Sequence, residues 1–158
     1  MSHLIVVSSD AMVGEDLAYF KTLSSYLKCF QGGAEITNVS SIYPSVTFPA
    51  HATMITGMYP EHHGIFSNMQ LIPGSDPTPW QWNYDFLKCT DIFRAAKAAG
   101  KTTAAVFWPV TANNPAIDYH IADYWAQGGT DTTLQAFART GSSPEVLEIV
   151  KKHQHLFW

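Results

Sequence analysis

Residues 42–68 read I-Y-P-S-V-T-F-P-A-H-A-T-M-I-T-G-M-Y-P-E-H-H-G-I-F-S-N, and this stretch decides the fold. A strand predicted over residues 36–42 ends before Pro44, because proline has no N–H to donate to a sheet ladder. Thr47 comes next, and Pro49 follows it closely. Threonine is a good helix N-cap, and proline is well placed in the first helical turn. We therefore predict that Thr47 lies at the start of a helix and caps it.

The chemistry of such a helix start favours negative charge. Unpaired N–H groups and the positive end of the helix dipole meet there, so an alkoxide or a phosphate oxygen would be stabilised beside Thr47. Thr-x-Pro is also an ordinary helix start, and most threonines in that position only cap the helix. The residue types alone therefore leave both capping and nucleophilic catalysis open for Thr47.

Length and composition indicate a single globular domain over residues 1–158. The chain is 46% hydrophobic and 14% charged, which is typical of a folded protein. The net charge is −4 and the nine Lys and Arg residues form no cluster larger than the pair Lys151 and Lys152, which argues against binding to a nucleic-acid polymer. No apolar run has the length that a bilayer requires. The start M-S-H-L-I-V-V-S-S-D leads into a predicted strand and does not resemble a signal peptide, so we expect a cytoplasmic protein.

The order of the predicted elements indicates an α/β fold. Residues 4–7 are a continuous apolar run, suited to a parallel strand that is buried on both faces. Apolar residues recur at helical spacing over residues 16–30, and the strand over 36–42 follows. Strand, helix and strand in this order predict a doubly wound, mostly parallel sheet flanked by helices. The later predicted elements are a helix over 90–99 capped by Thr90, a strand over 102–108, a short edge strand around 117–121, and helices over 134–139 and 143–150.

The run T-F-P-A-H-A-T-M-I-T-G-M-Y-P-E-H-H-G-I, which begins at Thr47, resembles the nucleophile segment of the nucleotide pyrophosphatase/phosphodiesterase family. That family belongs to the alkaline phosphatase superfamily, so the resemblance implies an alkaline-phosphatase-like fold. It also implies a hydrolase that cleaves phosphodiester or pyrophosphate bonds in small nucleotide-like substrates. In this role Thr47 would attack phosphorus and form a phospho-threonine intermediate, while Asn68 would help to hold the phosphoryl oxygens. Ala50 stands where members often carry Asn, which affects substrate choice more than the chemistry.

Asp10 follows the first predicted strand, at the carboxyl end where open α/β sheets bind ligands. From the residues alone, an Asp in a solvated turn is the alternative. The resemblance implies that Asp10 and Thr47 are metal ligands in a site with two zinc ions, although other divalent metals could serve. Ala11 replaces the glycine that usually follows this Asp in the family.

The resemblance places the family's other metal ligands after residue 158. We therefore expect this chain to cover only the N-terminal part of a catalytic domain, with an incomplete sheet. A catalytic zinc takes about three protein ligands and two zinc ions take about twice that number, so the chain alone should be inactive or nearly so. An unpaired sheet edge would also favour self-association.

Two other functions stay open at this point. One is a related hydrolase that acts on phosphomonoesters, phosphonates or sulfate esters. The other is a non-catalytic, truncated domain that binds phosphate-bearing ligands. The aromatic residues Trp80, Trp82 and Tyr84 either pack on the domain or form a wall that stacks on a flat leaving group.

The histidines and cysteines around the motif receive mostly structural interpretations. His62 and His63 match the family's P-E-x-H-G corner and are predicted to be architectural. His51 lies one turn into the predicted helix and is either structural or a phosphate neighbour. Cys29 and Cys89 show no metal-type spacing, so both are predicted to be buried free thiols.

Overall fold

The structure, a computed structural model, describes residues 3–30, 32–36, 38–75 and 78–156. The chain divides into two compact units, Met1–Ser40 and Ser41–Trp158. The single domain over residues 1–158 stays a prediction. Gln31, directly after the helix predicted over residues 16–30, and Thr37, within the second predicted strand, lie outside the described residues.

The first unit contains two short helices, α1 (Gly14–Phe20) and α2 (Ser24–Phe30), where the sequence predicts one helix over residues 16–30. The break follows from the hydroxyl of Thr22, which donates a hydrogen bond to the carbonyl oxygen of Tyr19 at 2.7 Å. The backbone N–H of Thr22 donates to the same carbonyl at 2.9 Å, which tightens the chain into a turn. Local side-chain bonds of this kind compete with the regular helix.

Neither of the strands predicted over residues 4–7 and 36–42 forms among the described residues, so both predictions are wrong. Residues 4–7 form no strand, and Leu4 is 78% exposed and Ile5 83% exposed. A strand buried on both faces needs neighbouring strands and covering helices, and the run of apolar residues cannot supply them itself. In residues 36–42, Asn38 has a φ of +59°, which a strand does not adopt.

The second unit carries five α-helices within its described residues, and in three of them the side chain of the N-cap residue accepts a backbone N–H of the first turn. They are α3 (Thr47–Thr56), α4 (Pro60–His63), α5 (Ile92–Ala98), α6 (Thr133–Arg139) and α7 (Pro144–Lys152), with short 3₁₀ helices at Tyr84–Phe86 and Gln154–Leu156. Asp91 caps α5 by accepting from the Arg94 N–H at 2.9 Å, which corrects the predicted Thr90 cap by one residue. Thr132 and Ser143 cap α6 and α7 in the same way. The helices predicted in this half of the chain are therefore confirmed, with shifted ends.

A two-stranded parallel sheet joins β1 (Ala104–Trp108) to β2 (Tyr119–Ala122). Val106 lies opposite Ile121, and the register slips between Val106 and Trp108, where Phe107 has a φ of +53°. Both predicted strands in this part are confirmed, and helices with a small parallel sheet agree with the α/β class. The doubly wound arrangement is not formed by the described residues.

The core of the second unit lies in two clusters. The larger one surrounds α3 and contains Phe48, Ala52, Ile55, Ile65, Tyr84, Leu87 and Val110. The smaller one joins β2 to the last two α-helices and contains Ile121, Phe137, Val146 and Val150. The first helix of this unit is therefore held by packing along its length, which fixes the position of its N-terminus.

Among the described residues, no helix has the length and apolar character that crossing a membrane requires.

Candidate active site

Thr47 is the first residue of α3, so the predicted helix start is confirmed. The N-cap is Val46, with φ −122° and ψ 162°, and it makes no side-chain cap bond. The prediction that Thr47 caps the helix is therefore wrong by one residue. Thr47 is half-buried and lies in the first turn, where the partial positive charge of the helix dipole is concentrated.

Asn68 supplies the missing cap from a distance of 20 residues in sequence. Its side-chain Oδ1 accepts a hydrogen bond from the backbone N–H of Phe48 at 2.9 Å. Because an N–H must face the carboxamide oxygen, this contact sets the orientation of the side chain and leaves the Nδ2 hydrogens as its donors. The structure thus brings Asn68 to the residue that directly follows Thr47.

A paired segment holds Asn68 in place. The backbone N–H of Gln81 donates to the carbonyl oxygen of Asn68 at 2.8 Å, and Met69 pairs with Trp80 in an antiparallel bridge. The backbone N–H of Gln70 donates to the carbonyl oxygen of Pro79 at 2.8 Å. The chain around Asn68 is therefore tied to the aromatic loop that follows it.

His51 links the start of α3 to the sheet. Its Nδ1 donates a hydrogen bond to the carbonyl oxygen of Thr47 at 2.8 Å, which assigns the proton to Nδ1. The indole Nε1 of Trp108 donates to the carbonyl oxygen of His51 at 3.3 Å, and the two rings lie 5.2 Å apart. Trp108 ends β1, so Thr47 is connected to the carboxyl end of a parallel strand, the usual place for sites in such sheets. A role for His51 beside phosphate stays a prediction.

His63 is structural, as the sequence predicts. It is 0% exposed, its Nδ1 accepts from the Ile65 N–H at 3.1 Å, and its Nε2 donates to the Thr53 hydroxyl at 3.0 Å. Burial lowers the pKa of His63, so the ring stays neutral and keeps this pattern of bonds. His63 therefore fastens α3 to the segment that runs on to Asn68. His62 is exposed and lies 3.6 Å from the Glu61 carboxylate.

The aromatic residues of the loop have different environments. Tyr84 is 6% exposed and belongs to the core, with the Arg94 guanidinium 5.0 Å from its ring centre, so the packing interpretation is confirmed for Tyr84. Trp80 lies 5.3 Å from Phe48 between ring centres, and Trp80 and Trp82 both contact Trp125. A stacking surface at Trp80 and Trp82 stays a prediction.

Asp10 lies in the first unit, in a turn, and is exposed. Its predicted role as a metal ligand stays a prediction, as does that of Thr47. Among the residues that the structure describes, no three His, Cys, Asp or Glu side chains come together as a metal centre. The described residues therefore supply at most part of a metal site.

The two cysteines are free thiols, as predicted, but neither is fully buried. Cys29 is exposed on α2, and Cys89 is half-buried. Burial raises the pKa of the Cys89 thiol, so this group stays protonated at neutral pH. The prediction that Cys29 is buried is wrong. The apolar spacing around Cys29 belongs to a short helix without buried residues.

Comparison of the sequence with known protein families assigns the chain to one of them. The sequence model described as type I phosphodiesterase / nucleotide pyrophosphatase matches residues 4–154. The chain belongs to this family. The matched range includes Asp10, Thr47 and Asn68, and it confirms the resemblance that the motif at Thr47 carries.

Three relatives illustrate how much of a family member this chain represents. Ectonucleotide pyrophosphatase/phosphodiesterase family member 1 of Homo sapiens is 33% identical over 92 residues, which is 55% of this chain and 10% of that protein. A relative of Schizosaccharomyces pombe named uncharacterized pyrophosphatase/phosphodiesterase is 30% identical over 121 residues, 68% of this chain and 24% of that protein. Ectonucleotide pyrophosphatase/phosphodiesterase 1 of Saccharomyces cerevisiae is 41% identical over 66 residues, 34% of this chain and 9% of that protein. The chain spans from 9% to 24% of the length of these relatives.

Sequence reasoning missed two residues that position the site, Gln81 and Trp108. Gln81 lies between two tryptophans, and the only signal in the sequence is a polar residue inside an otherwise aromatic run. Trp108 ends a predicted strand, which places it at the correct edge of the sheet, but nothing local indicates its bond to His51.

Proposed function

We propose that this protein hydrolyses phosphodiester or pyrophosphate bonds in small nucleotide-like substrates, with Thr47 as the nucleophile. One observation carries the proposal: Thr47 begins a ten-residue helix whose next backbone N–H is bonded to Asn68, inside the family's motif. This arrangement suits phosphoryl transfer, because that reaction depends mainly on positioning and on the neutralisation of charge.

Each residue has a separate task in this proposal. The Thr47 hydroxyl oxygen forms a bond to phosphorus while the bond to the leaving-group oxygen breaks, which gives a phospho-threonine that water then hydrolyses. The positive end of α3 stabilises the phosphoryl oxygens. Asn68 donates from Nδ2 to one of these oxygens, since its Oδ1 is already engaged by Phe48.

The proposal includes two zinc ions in the complete site, or other divalent metals. The family's use of divalent metals supports this part. Asp10 and Thr47 are the ligands that this chain would provide, and bound metal would supply charge neutralisation and activation of the hydroxyl. A doubly wound, alkaline-phosphatase-like sheet belongs to the same proposal, and the parallel pairing of β1 with β2 agrees with it.

The test replaces Thr47 in the full-length protein. Thr47→Ala should abolish turnover of bis(p-nitrophenyl) phosphate, whereas the matched control Thr47→Ser keeps a hydroxyl and should retain part of it. Rapid acid quench and mass spectrometry should find phosphate on Thr47 in the parent protein. Full turnover by Thr47→Ala, with an unchanged circular dichroism spectrum, would remove Thr47 from the mechanism.

A further inference from the structure

Gln81 makes an unusual set of contacts with the backbone around Asn68. Its side-chain Nε2 donates to the carbonyl oxygen of Ser67 at 2.8 Å and to that of Met69 at 3.3 Å. Its own backbone N–H donates to the carbonyl oxygen of Asn68 at 2.8 Å. Gln81 therefore binds three consecutive carbonyl groups, with Asn68 in the middle.

These bonds lie in a protected environment. Gln81 is 9% exposed, so water does not readily replace its side-chain donor. The flanking Trp80 contacts Phe48, whose backbone N–H is the partner of the Asn68 side chain. The same loop thus fixes both ends of the hydrogen bond between Asn68 and Phe48.

Backbone pairing restrains the chain after Asn68, through the bridge between Met69 and Trp80 and the bond from Gln70 to Pro79. His63 and Ile65 anchor the chain before it, but Phe66 and Ser67 are exposed. Loss of the Gln81 side-chain donor would remove one partner each from the carbonyl oxygens of Ser67 and Met69 and loosen the backbone on both sides of Asn68. A displacement of about 1 Å at a group that contacts the reacting atoms can lower a rate about 100-fold.

We propose that Gln81 is a positioning residue for phosphoryl transfer, acting by holding the Asn68 carboxamide at the N-terminus of α3. This inference rests on the proposed role of Asn68 in the reaction. Gln81 has no contact with the reacting atoms in this account, and its effect passes through the backbone of residues 67–69.

The test combines kinetics with a measurement that does not need activity. Gln81→Met keeps the length of the side chain and removes its donor, and Gln70→Met is the matched control, since no side-chain hydrogen bond of Gln70 occurs among the described residues. In the full-length protein, Gln81→Met should lower kcat for bis(p-nitrophenyl) phosphate about 10- to 100-fold with little change in KM. Hydrogen exchange at the Phe48 amide should become faster in Gln81→Met and stay unchanged in Gln70→Met.

The double variant Gln81→Met with Asn68→Ala separates positioning from general structural support. If Gln81 acts through Asn68, the double variant has the same kcat as Asn68→Ala alone. Multiplied losses in kcat, or an unchanged Phe48 amide in Gln81→Met, would overturn the inference. Full activity of Asn68→Ala would instead overturn the proposed role of Asn68, and the Phe48 amide in Gln81→Met would still decide whether Gln81 positions that side chain. If Gln81→Met fails to fold, Gln81→Leu, which also lacks a donor for the two carbonyls, takes its place.

Discussion

The side-chain oxygen of Asn68 accepts a hydrogen bond from the backbone N–H of Phe48 at 2.9 Å, so one carboxamide both caps α3 and lies next to Thr47. The two ends of the side chain have different tasks. Oδ1 stabilises the helix start, and Nδ2 provides the donors that the proposed reaction uses.

Substitution of Asn68 should separate these tasks. Asn68→Asp keeps an oxygen for the Phe48 N–H, so we expect stability close to that of the parent protein, whereas Asn68→Ala should lower the free energy of unfolding by about 1 kcal/mol. Both variants lose the Nδ2 donor, so kcat should fall about 100- to 1000-fold in each. Urea unfolding and steady-state kinetics measure the two effects. An active Asn68→Asp variant would contradict the donor role.

The proposed site should prefer diesters to monoesters. Of the nine Lys and Arg residues, only Lys151 and Lys152 are adjacent in the sequence, so the sequence shows no larger cluster of cations that would bind the dianion of a monoester. We expect kcat/KM of the full-length protein to be higher for bis(p-nitrophenyl) phosphate than for p-nitrophenyl phosphate. The opposite order would favour the related phosphomonoester hydrolases.

Stability should fall at mildly acidic pH because of His120. This ring is 2% exposed, its Nε2 donates to the Thr111 hydroxyl at 2.9 Å, and burial lowers the pKa of His120 from 6.5 to about 4. The unfolded chain therefore binds more protons than the folded one between these values, so the contribution of His120 is complete above pH 6.5 and declines as the pH falls towards 4. The decline amounts to about 3 kcal/mol.

The matched variants for this prediction are His120→Gln and His62→Gln. Glutamine at position 120 keeps a donor for Thr111 but does not titrate, so His120→Gln should flatten the dependence of unfolding free energy on pH. His62→Gln replaces an exposed histidine and serves as the matched control. Equal curves for all three proteins would show that His120 is not the responsible group.

Asp91 should contribute strongly to the stability of the second unit. It is 2% exposed, caps α5, and accepts a second bond from the Asn114 side chain at 3.0 Å. Asp91→Ala removes the cap and leaves a buried donor of Asn114 unpaired, so we expect a loss of roughly 2–3 kcal/mol. Asp85→Ala, at an exposed position, serves as the control in urea unfolding and should change stability little. A small effect of Asp91→Ala would mean that water replaces both bonds.

Local chemistry predicts much of the second unit correctly. The helix start at Thr47 depends on a proline in the first turn and on apolar residues at helical spacing, both of which are visible in the sequence. The strands β1 and β2 and the later helices follow from alternation and from capping residues such as Ser143. The ends shift by one or two residues because a cap is fixed by geometry as well as by residue type, as Val46 shows at α3.

The contacts that assemble the candidate site could not be predicted in this way. The bond between Gln81 and the carbonyl of Ser67 joins residues 14 positions apart and uses a backbone acceptor that every residue possesses. The strand predicted over residues 4–7 fails for a related reason, since a strand exists only where another strand pairs with it. Thr22 ends α1 through a side-chain bond that helical periodicity does not reveal.

The packing of α3 has a consequence for selection experiments. Ala52 is 0% exposed in the middle of a helix whose first residue is Thr47, so a larger side chain there must displace the helix. In a library of single substitutions sorted by turnover, we expect Ala52 to tolerate as few residue types as the positions at the helix start. A library sorted by soluble expression should separate Ala52 from Thr47, because Ala52 is fully buried and Thr47 is half-buried. Comparison of the two screens would therefore show which positions of α3 are required for turnover and which are required for folding.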